Sequence, residues 1–157
     1  MAAIEDLKRI GMFQDLPDSD LKDILQYCRE REFHEGETVF TCGDPGHEFF
    51  LLLDGNVKLM LPTDQGFGLT VVFVENGNAF GVSGLLEPRT YTSTAVCVKK
   101  AKTIAIETGA FLDYMDEINV KAGETVMKNL AAILLRRLDK TRQQLKSLIS
   151  QVEITSG

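Results

Sequence analysis

The fold of this chain is decided by residues 50–61, which read FLLLDGNVKLML. In the second half, Val57, Leu59 and Leu61 recur at every second position, which is the period of a β-strand with one buried face. Residues 69–74 repeat this alternation. Glycine, asparagine and aspartate mark turns at residues 35–36, 43–46, 54–56, 64–66 and 75–78. Turns at such regular intervals predict an antiparallel jelly roll rather than parallel α/β units.

Helical periodicity flanks the β region on both sides. Before it, apolar residues at i, i+3, i+4 and i+7 that end at Cys28 predict a helix over residues 18–28, with Asp18 as its cap. After it, Phe111, Leu112 and Met115 predict a short helix. We therefore expect a single domain over residues 1–157, with N-terminal helices at 1–29, a β jelly roll at 30–107 and C-terminal helices at 108–157.

A second helical pattern runs from about Asn119 to Val152 and carries a heptad repeat. About 34 helical residues at ~1.5 Å each reach roughly 50 Å, more than the width of a domain of this size. Over residues 127–135 the apolar face is wide enough to pack on the barrel, whereas beyond Asp139 it narrows to a seam. We therefore predict a parallel homodimer whose seam is formed by Leu134, Leu138, Thr141, Leu145, Leu148 and Val152.

Composition restricts the class of protein further. A length of 157 residues with 44% hydrophobic content suffices for one core, and the net charge of −6 disfavours nucleic acid or an anionic membrane as a partner. The N-terminus lacks a secretory pattern and no apolar run reaches about 18 residues, so we expect a soluble, cytoplasmic protein. The three cysteines lack close spacing, which predicts free thiols.

Three motifs carry a family resemblance. They are Phe33-x-x-Gly36-Glu37-x-x-Phe40-x-x-Gly43-Asp44, then Phe50-x-Leu52-x-Asp54-Gly55-x-Val57-x-Leu59, and finally Phe80-Gly81-x-x-Gly84-Leu85-Leu86. In this order the chain resembles, over nearly its whole length, the cyclic nucleotide-binding domain of catabolite-activator-type regulators, kinase regulatory subunits and gated channels. The resemblance implies a non-catalytic sensor or regulatory module for signal transduction, with cyclic AMP or cyclic GMP as the ligand class.

The third motif lies where this family has its phosphate-binding cassette. Its glycines and small residues let backbone N–H groups approach an anion. The resemblance also implies a glutamate directly after Phe-Gly and an arginine about nine residues later, yet Val82 and Tyr91 stand there. The candidate pocket consists of Phe80, Gly81, Val82, Ser83, Gly84, Leu85, Arg89, Tyr91 and Thr92.

Loss of both charged anchors predicts altered or lost specificity. Loss of the charge-assisted hydrogen bond that the arginine would make forfeits roughly 1.5–3 kcal/mol, and a ribose hydroxyl left unpaired opposite Val82 costs a further ~1–3 kcal/mol. The affinity for a cyclic nucleotide would then fall on the order of 10²–10⁴. Arg89 replaces the arginine only if the turn is shorter and the next strand carries a bulge. Val82 and Tyr91 otherwise suit a more apolar ligand, or a pocket filled by their own side chains.

Two alternative functions stay open. Activator-type relatives continue into a helix-turn-helix, which we do not expect within these residues, so the chain would be the effector domain of a CRP/FNR-type transcriptional regulator. The other alternative is a ligand-free dimeric interaction scaffold with an unknown protein partner. The basic residues of the long helix predict a solvated face and no nucleic-acid contact by this chain alone; they are Arg136, Arg137, Lys140, Arg142 and Lys146.

Catalysis and metal binding have little support in the sequence. The only histidines, His34 and His47, lie beside turns and are too few for the metal centre of a cupin. No Ser/His/Asp order, Walker sequence or paired-carboxylate motif is present. We therefore expect no catalytic residues, no metal site and no enzyme activity.

Overall fold

The computed structural model describes residues 2–66 and 68–156, with side chains as far as residue 153. Within them an antiparallel sheet is flanked by helices, as predicted. The elements are α1 (Ile4–Lys8), α2 (Asp18–Leu25), β1 (Cys28–Phe33), β2 (Thr38–Phe40), β3 (Glu48–Pro62), β4 (Gly68–Val74), β5 (Ala79–Phe80), β6 (Thr94–Glu107), α3 (Thr108–Asp113) and α4 (Val120–Ser156). Short 3₁₀ turns lie at Gly11–Phe13 and Val82–Leu85, and a π-helical turn at Tyr114–Ile118 continues α3.

The sheet is built around its two longest strands, β3 and β6. The main order is β1-β6-β3-β4, with β2 added to β6 and β5 added to β3, and every pairing is antiparallel. Because successive side chains of a strand point to opposite faces, β3 buries Phe49 and Leu51 against the helices and Phe50 and Leu52 inside the barrel. The hydrophobic core therefore consists of two clusters separated by the sheet.

The turn predicted at residues 54–56 is absent, because β3 runs through them without a break. Instead, the pairing register of β3 with β6 shifts between Leu52 and Val57, which marks β-bulges. Gly55 has a φ of +133°, and a Cβ there would lie 2.7 Å from the Cα of Ala101 on β6. The Asp-Gly-Asn sequence therefore lies at a β-bulge within one long strand rather than at a turn between two strands.

The second helix is shorter than predicted. It ends at Leu25, and Cys28 is the first residue of β1 rather than part of a helical face. The thiol of Cys28 donates to the carbonyl oxygen of Ile24 at 3.4 Å. Pro17 occupies the N-cap position, and Asp18 is the first helical residue, so the predicted cap was one position late.

The long helix α4 begins where predicted and packs on the N-terminal part of the chain. Asn119 caps it, because its Oδ1 accepts a hydrogen bond from the Ala122 N–H at 3.0 Å. The side-chain amide of Asn129 donates to the carbonyl oxygens of Met12 and Gln14. Ile133 is the last apolar residue of α4 that packs on the helix-side cluster, whereas Leu135, expected on the packed face, is 63% exposed.

Candidate ligand-binding site

The cassette turn retains a backbone that requires glycine. Gly81 has a φ of +75°, in the left-handed region, and a Cβ there would lie 2.9 Å from the ring of Phe40. The 3₁₀ turn Val82–Leu85 follows directly. The sequence motif therefore does encode a tight, glycine-dependent turn at the end of β5.

Aromatic rings fill the barrel interior beside this turn. Phe40 and Tyr91 stack with 4.0 Å between their ring centroids, and Phe80 stacks on Phe50 at 5.4 Å. The Tyr91 hydroxyl donates to the Glu48 carbonyl oxygen at 2.7 Å. Burial raises the pKa of this hydroxyl above its ordinary value, so Tyr91 remains a neutral donor at physiological pH. A 4.0 Å stack leaves no space for a purine between the two rings.

The remaining cassette residues are distributed on different sides of the turn. Val82 packs against the helix-side cluster, so its side chain does not share the interior with Tyr91. Gly84 and Leu85 are buried, Ser83 is half-buried and Thr92 is exposed. Of the candidate residues, Phe80 and Tyr91 therefore lie together in the barrel interior, whereas Val82 faces the opposite cluster.

Arg89 has a different location from the one considered for a phosphate anchor. Its φ is +60°, in the left-handed region that few residues other than glycine adopt. Its guanidinium pairs with Glu87 at 3.3 Å, and the residue lines a groove with Glu107 and Thr108 at the end of β6. The barrel interior is thus not where this cation lies.

A small groove separates β4 from α4, close to the strand that leads into the cassette. It encloses about 260 Å³ and is lined by Val71, Val72, Phe73, Glu75, Asn78, Arg137, Lys140, Thr141 and Gln144. The guanidinium of Arg137 donates to the Ala79 carbonyl oxygen at 3.1 Å. Partial burial lowers the pKa of Arg137, although the group stays charged at physiological pH. This hydrogen bond connects α4 directly to β5.

The prediction of a solvated basic face was wrong for Arg137. Sequence reasoning missed this residue because it lies in a run of charged side chains. The spacing of the helix could have identified it. Arg137 follows the buried Leu130 by seven positions and the half-buried Ile133 by four, which places it on the packed face of α4.

Other kinds of site find no support in the described residues. Residues 2–66 and 68–156 contain no group of three or more metal-ligating side chains. All three cysteines, Cys28, Cys42 and Cys97, are free, as predicted. Among the described helices, none has the length and apolar character needed to cross a membrane.

Comparison with known proteins identifies the family. Residues 30–118, most of the sheet together with α3, match the family model of the cyclic nucleotide-binding domain. The chain belongs to the cyclic nucleotide-binding domain family. The predicted resemblance and fold class are therefore confirmed.

Individual relatives of this cyclic nucleotide-binding domain are regulators or domains of similar size. A Geobacter metallireducens GS-15 protein assigned to cyclic nucleotide binding is 36% identical over 88% of this chain and 99% of its own, with a TM-score of 0.76. The Thermus thermophilus catabolite activator protein is 27% identical over 88% of this chain and 62% of its own, with a TM-score of 0.72.

A curated relative extends beyond the region that this chain matches. The CRP-like cAMP-activated global transcriptional regulator of Mycobacterium tuberculosis (strain CDC 1551 / Oshkosh) is 24% identical over 92% of this chain but 62% of its own length. The chain thus spans about three fifths of the length of this regulator.

Proposed function

We propose that this cyclic nucleotide-binding domain is a non-catalytic regulatory module in which cyclic AMP and cyclic GMP bind weakly or with altered specificity. The observation that carries the proposal is the stack of Tyr91 on Phe40 in the barrel interior. Family membership makes cyclic nucleotides the first ligand class to test. At the position where the resemblance implies an arginine for the phosphate, Tyr91 instead fills the interior with its own ring.

Two independent costs act on a cyclic nucleotide. The first is the loss of the charged anchors at Val82 and Tyr91, worth on the order of 10²–10⁴ in affinity. The second is displacement of the Tyr91 ring and its hydrogen bond to Glu48. Because both costs fall on the same ligand, an affinity weaker than about 10 μM is expected.

The groove between β4 and α4 offers a route for signal transfer. Arg137 holds Ala79, which directly precedes Phe80 and Gly81 of the cassette. A change in the cassette would therefore shift the carbonyl group to which α4 is bonded. We take this hydrogen bond as the link between ligand occupancy and the pose of the long helix.

Homodimerisation through α4 belongs to the same proposal. Seam residues are well exposed in the single chain, among them Leu138, Leu145 and Leu148. Strand β4 adds an exposed apolar row beside α4, formed by Leu69, Val71 and Phe73. A contiguous apolar strip of this kind is typical of a surface that a partner covers, and the heptad spacing favours a second copy of the same helix.

Calorimetric titration with cyclic AMP, cyclic GMP and cyclic dinucleotides tests the binding proposal. The variant Tyr91→Arg removes the ring and supplies a cation on the barrel side, so it should gain affinity for a cyclic mononucleotide. Val82→Glu is the control, and it should gain nothing, because position 82 faces the helix-side cluster while Tyr91 still fills the interior. Equal gains in both variants would contradict the role given to Tyr91.

Two other functions are each favoured by one observation. Similarity to the Mycobacterium tuberculosis and Thermus thermophilus regulators favours the effector domain of a transcriptional regulator. The filled interior favours a ligand-free dimeric scaffold. If calorimetric titration gives no heat with any cyclic nucleotide and the protein is a stable dimer, the result would favour the scaffold over a ligand-binding regulatory module.

A further inference from the structure

The two edge strands of the sheet differ in charge. Strand β1, at one edge, contains the charged run Arg-Glu-Arg-Glu at residues 29–32, whereas β4, at the other edge, contains no charged residue. Charged side chains commonly protect an edge strand from association, and an exposed apolar edge strand tends to associate with another chain. In β4, Val71 and Phe73 are exposed, and both line the groove beside α4. We therefore expect a partner to cover β4.

The long helix has an apolar residue at a heptad position that is usually charged. With Leu138 and Leu145 as a positions of the predicted seam, Ile149 falls at an e position, and it is 50% exposed. The e and g positions flank a seam on its two sides and are often glutamate or lysine. The g side of α4 faces its own domain, because Leu130 is buried there and Arg137 is hydrogen-bonded to β5. The e side, with Ile149, therefore faces away from that domain.

A parallel pair of helices brings these two surfaces together. In such a pair the e side of one helix lies against the g side of the other, which is why charged e and g residues form bridges between helices. The g residues beside β4 are Arg137 and Gln144, and both line the groove together with Val71 and Phe73. Ile149 is the next e position after Gln144. It therefore lies at the level of the partner's Gln144, next to the exposed part of the partner's β4.

A charged residue accompanies Ile149 on the e side. Arg142 is the preceding e residue and lies beside the partner's Arg137, whose guanidinium donates to the Ala79 carbonyl oxygen. Two neighbouring cations repel each other unless a carboxylate lies close to them. Glu75 lines the same groove and forms no ion pair in the described part of the chain. Its carboxylate is therefore available to Arg142 of a second copy.

We propose that the e side of α4 from a second copy of this chain covers β4, with Ile149 packed on Val71 and Phe73. The proposal rests on the parallel homodimer of the proposed function and adds to it a contact that lies outside the a and d seam. Because a parallel pair of identical helices has twofold symmetry, the contact forms twice in each dimer. Each copy then closes the groove between β4 and α4 of the other.

Cross-linking between copies of the full chain tests this contact. Chains with Phe73→Cys are mixed with chains with Ile149→Cys, treated with a short bis-maleimide and mapped by peptide mass spectrometry, which distinguishes the new link from links to the native cysteines. A link between positions 73 and 149 should form. Phe73→Cys mixed with Gln143→Cys, on the side of the helix opposite the seam, should give none. Absence of the 73–149 link, or equal yields in the two mixtures, would overturn the proposal.

Leu145→Cys tests the dimer of the proposed function separately. As an a position of a parallel seam, it should cross-link to the same position of the second copy. If Leu145→Cys cross-links but positions 73 and 149 do not, the dimer is correct and the contact with β4 is wrong. If neither link forms, the dimer fails, and the contact that depends on it fails too.

Substitutions measure how much the contact contributes to the dimer. Ile149→Asp and Phe73→Asp should each raise the dissociation constant of the dimer about 10- to 100-fold in sedimentation equilibrium, because each removes an apolar side chain from the interface. Leu135→Asp is the matched control for the helix, since Leu135 is also an exposed e residue but lies beside the partner's Leu130 rather than beside β4. Leu86→Asp is the control for an exposed apolar residue outside the groove. Equal effects of Ile149→Asp and Leu135→Asp, or of Phe73→Asp and Leu86→Asp, would refute the proposal.

Discussion

Truncation of Tyr91 tests how firmly the barrel interior is packed. Its ring is buried and stacks on Phe40 at 4.0 Å, and its hydroxyl donates to the Glu48 carbonyl oxygen at 2.7 Å. Tyr91→Ala removes the ring, which costs about 3–5 kcal/mol at a buried aromatic position. Tyr91→Phe keeps the ring and removes only the hydrogen bond, so it should cost about 1 kcal/mol.

Urea unfolding of both variants, measured at one protein concentration, gives these free energies. For a domain of this size, 1 kcal/mol corresponds to roughly 2–4 °C in melting temperature, so Tyr91→Ala should lower it by about 6–20 °C. The alanine variant also leaves an apolar cavity of ring size. Benzene or indole should then raise its melting temperature while leaving the original protein unaffected, since dry engineered cavities bind such molecules.

Tyr27→Phe is the control for the lost hydroxyl. Tyr27 packs at the edge of the helix-side cluster, and its hydroxyl makes no hydrogen bond among the described residues, so this change should be nearly neutral. A cost below about 1 kcal/mol for Tyr91→Ala would refute the reasoning, because a ring that packs the interior cannot be removed so cheaply. Equal costs for Tyr91→Phe and Tyr27→Phe would show that the bond to Glu48 contributes nothing.

Three further outcomes follow from α4 and from the half-buried thiol of Cys28. Leu138→Asp should give a folded monomer by light scattering, whereas Leu135→Asp, at an exposed position outside the seam, should leave the dimer intact. If both variants remain dimeric, the predicted dimer seam is wrong. Arg137→Ala leaves the Ala79 carbonyl unpaired and should lower the free energy of unfolding in urea by about 1.5–3 kcal/mol. The same substitution at the exposed neighbour Arg136 should lower it by less than ~0.5 kcal/mol. Burial raises the pKa of Cys28 from 9.0 to about 12, so the free energy of unfolding should be level below pH 9.0 and fall as the pH rises towards about 12. Cys28→Ala should reduce that alkaline slope, and an unchanged slope would show that this thiol does not titrate differently in the two states.

The order of elements could be predicted from the sequence because the two periods are visible in it. Phe49 and Leu51 alternate with Phe50 and Leu52, and both sets are apolar because both faces of β3 are covered. The ends of the individual strands and helices were harder to predict from the sequence. Asp54-Gly55-Asn56 has turn chemistry, yet pairing with β6 on one side keeps the strand continuous through a bulge.

The site was only partly predictable. The missing glutamate and arginine are evident by position, but the direction of each side chain depends on packing that periodicity does not describe. Val82 and Tyr91 were both assigned to one pocket, whereas the structure places Val82 on the helix side and Tyr91 in the barrel. Arg137 was hidden among surface charges because the face of α4 that it occupies becomes evident only once the helix is docked.

The central claim is that Tyr91, rather than a ligand, fills the barrel interior. The most direct measurement is the nuclear Overhauser effect between the ring protons of Tyr91 and Phe40, recorded without and with about 1 mM cyclic AMP. The 4.0 Å stack predicts a strong effect that persists unchanged when the nucleotide is added. The claim is contradicted if the effect is absent from the free protein, or if cyclic AMP abolishes it and contacts from the adenine to Phe40 appear in its place.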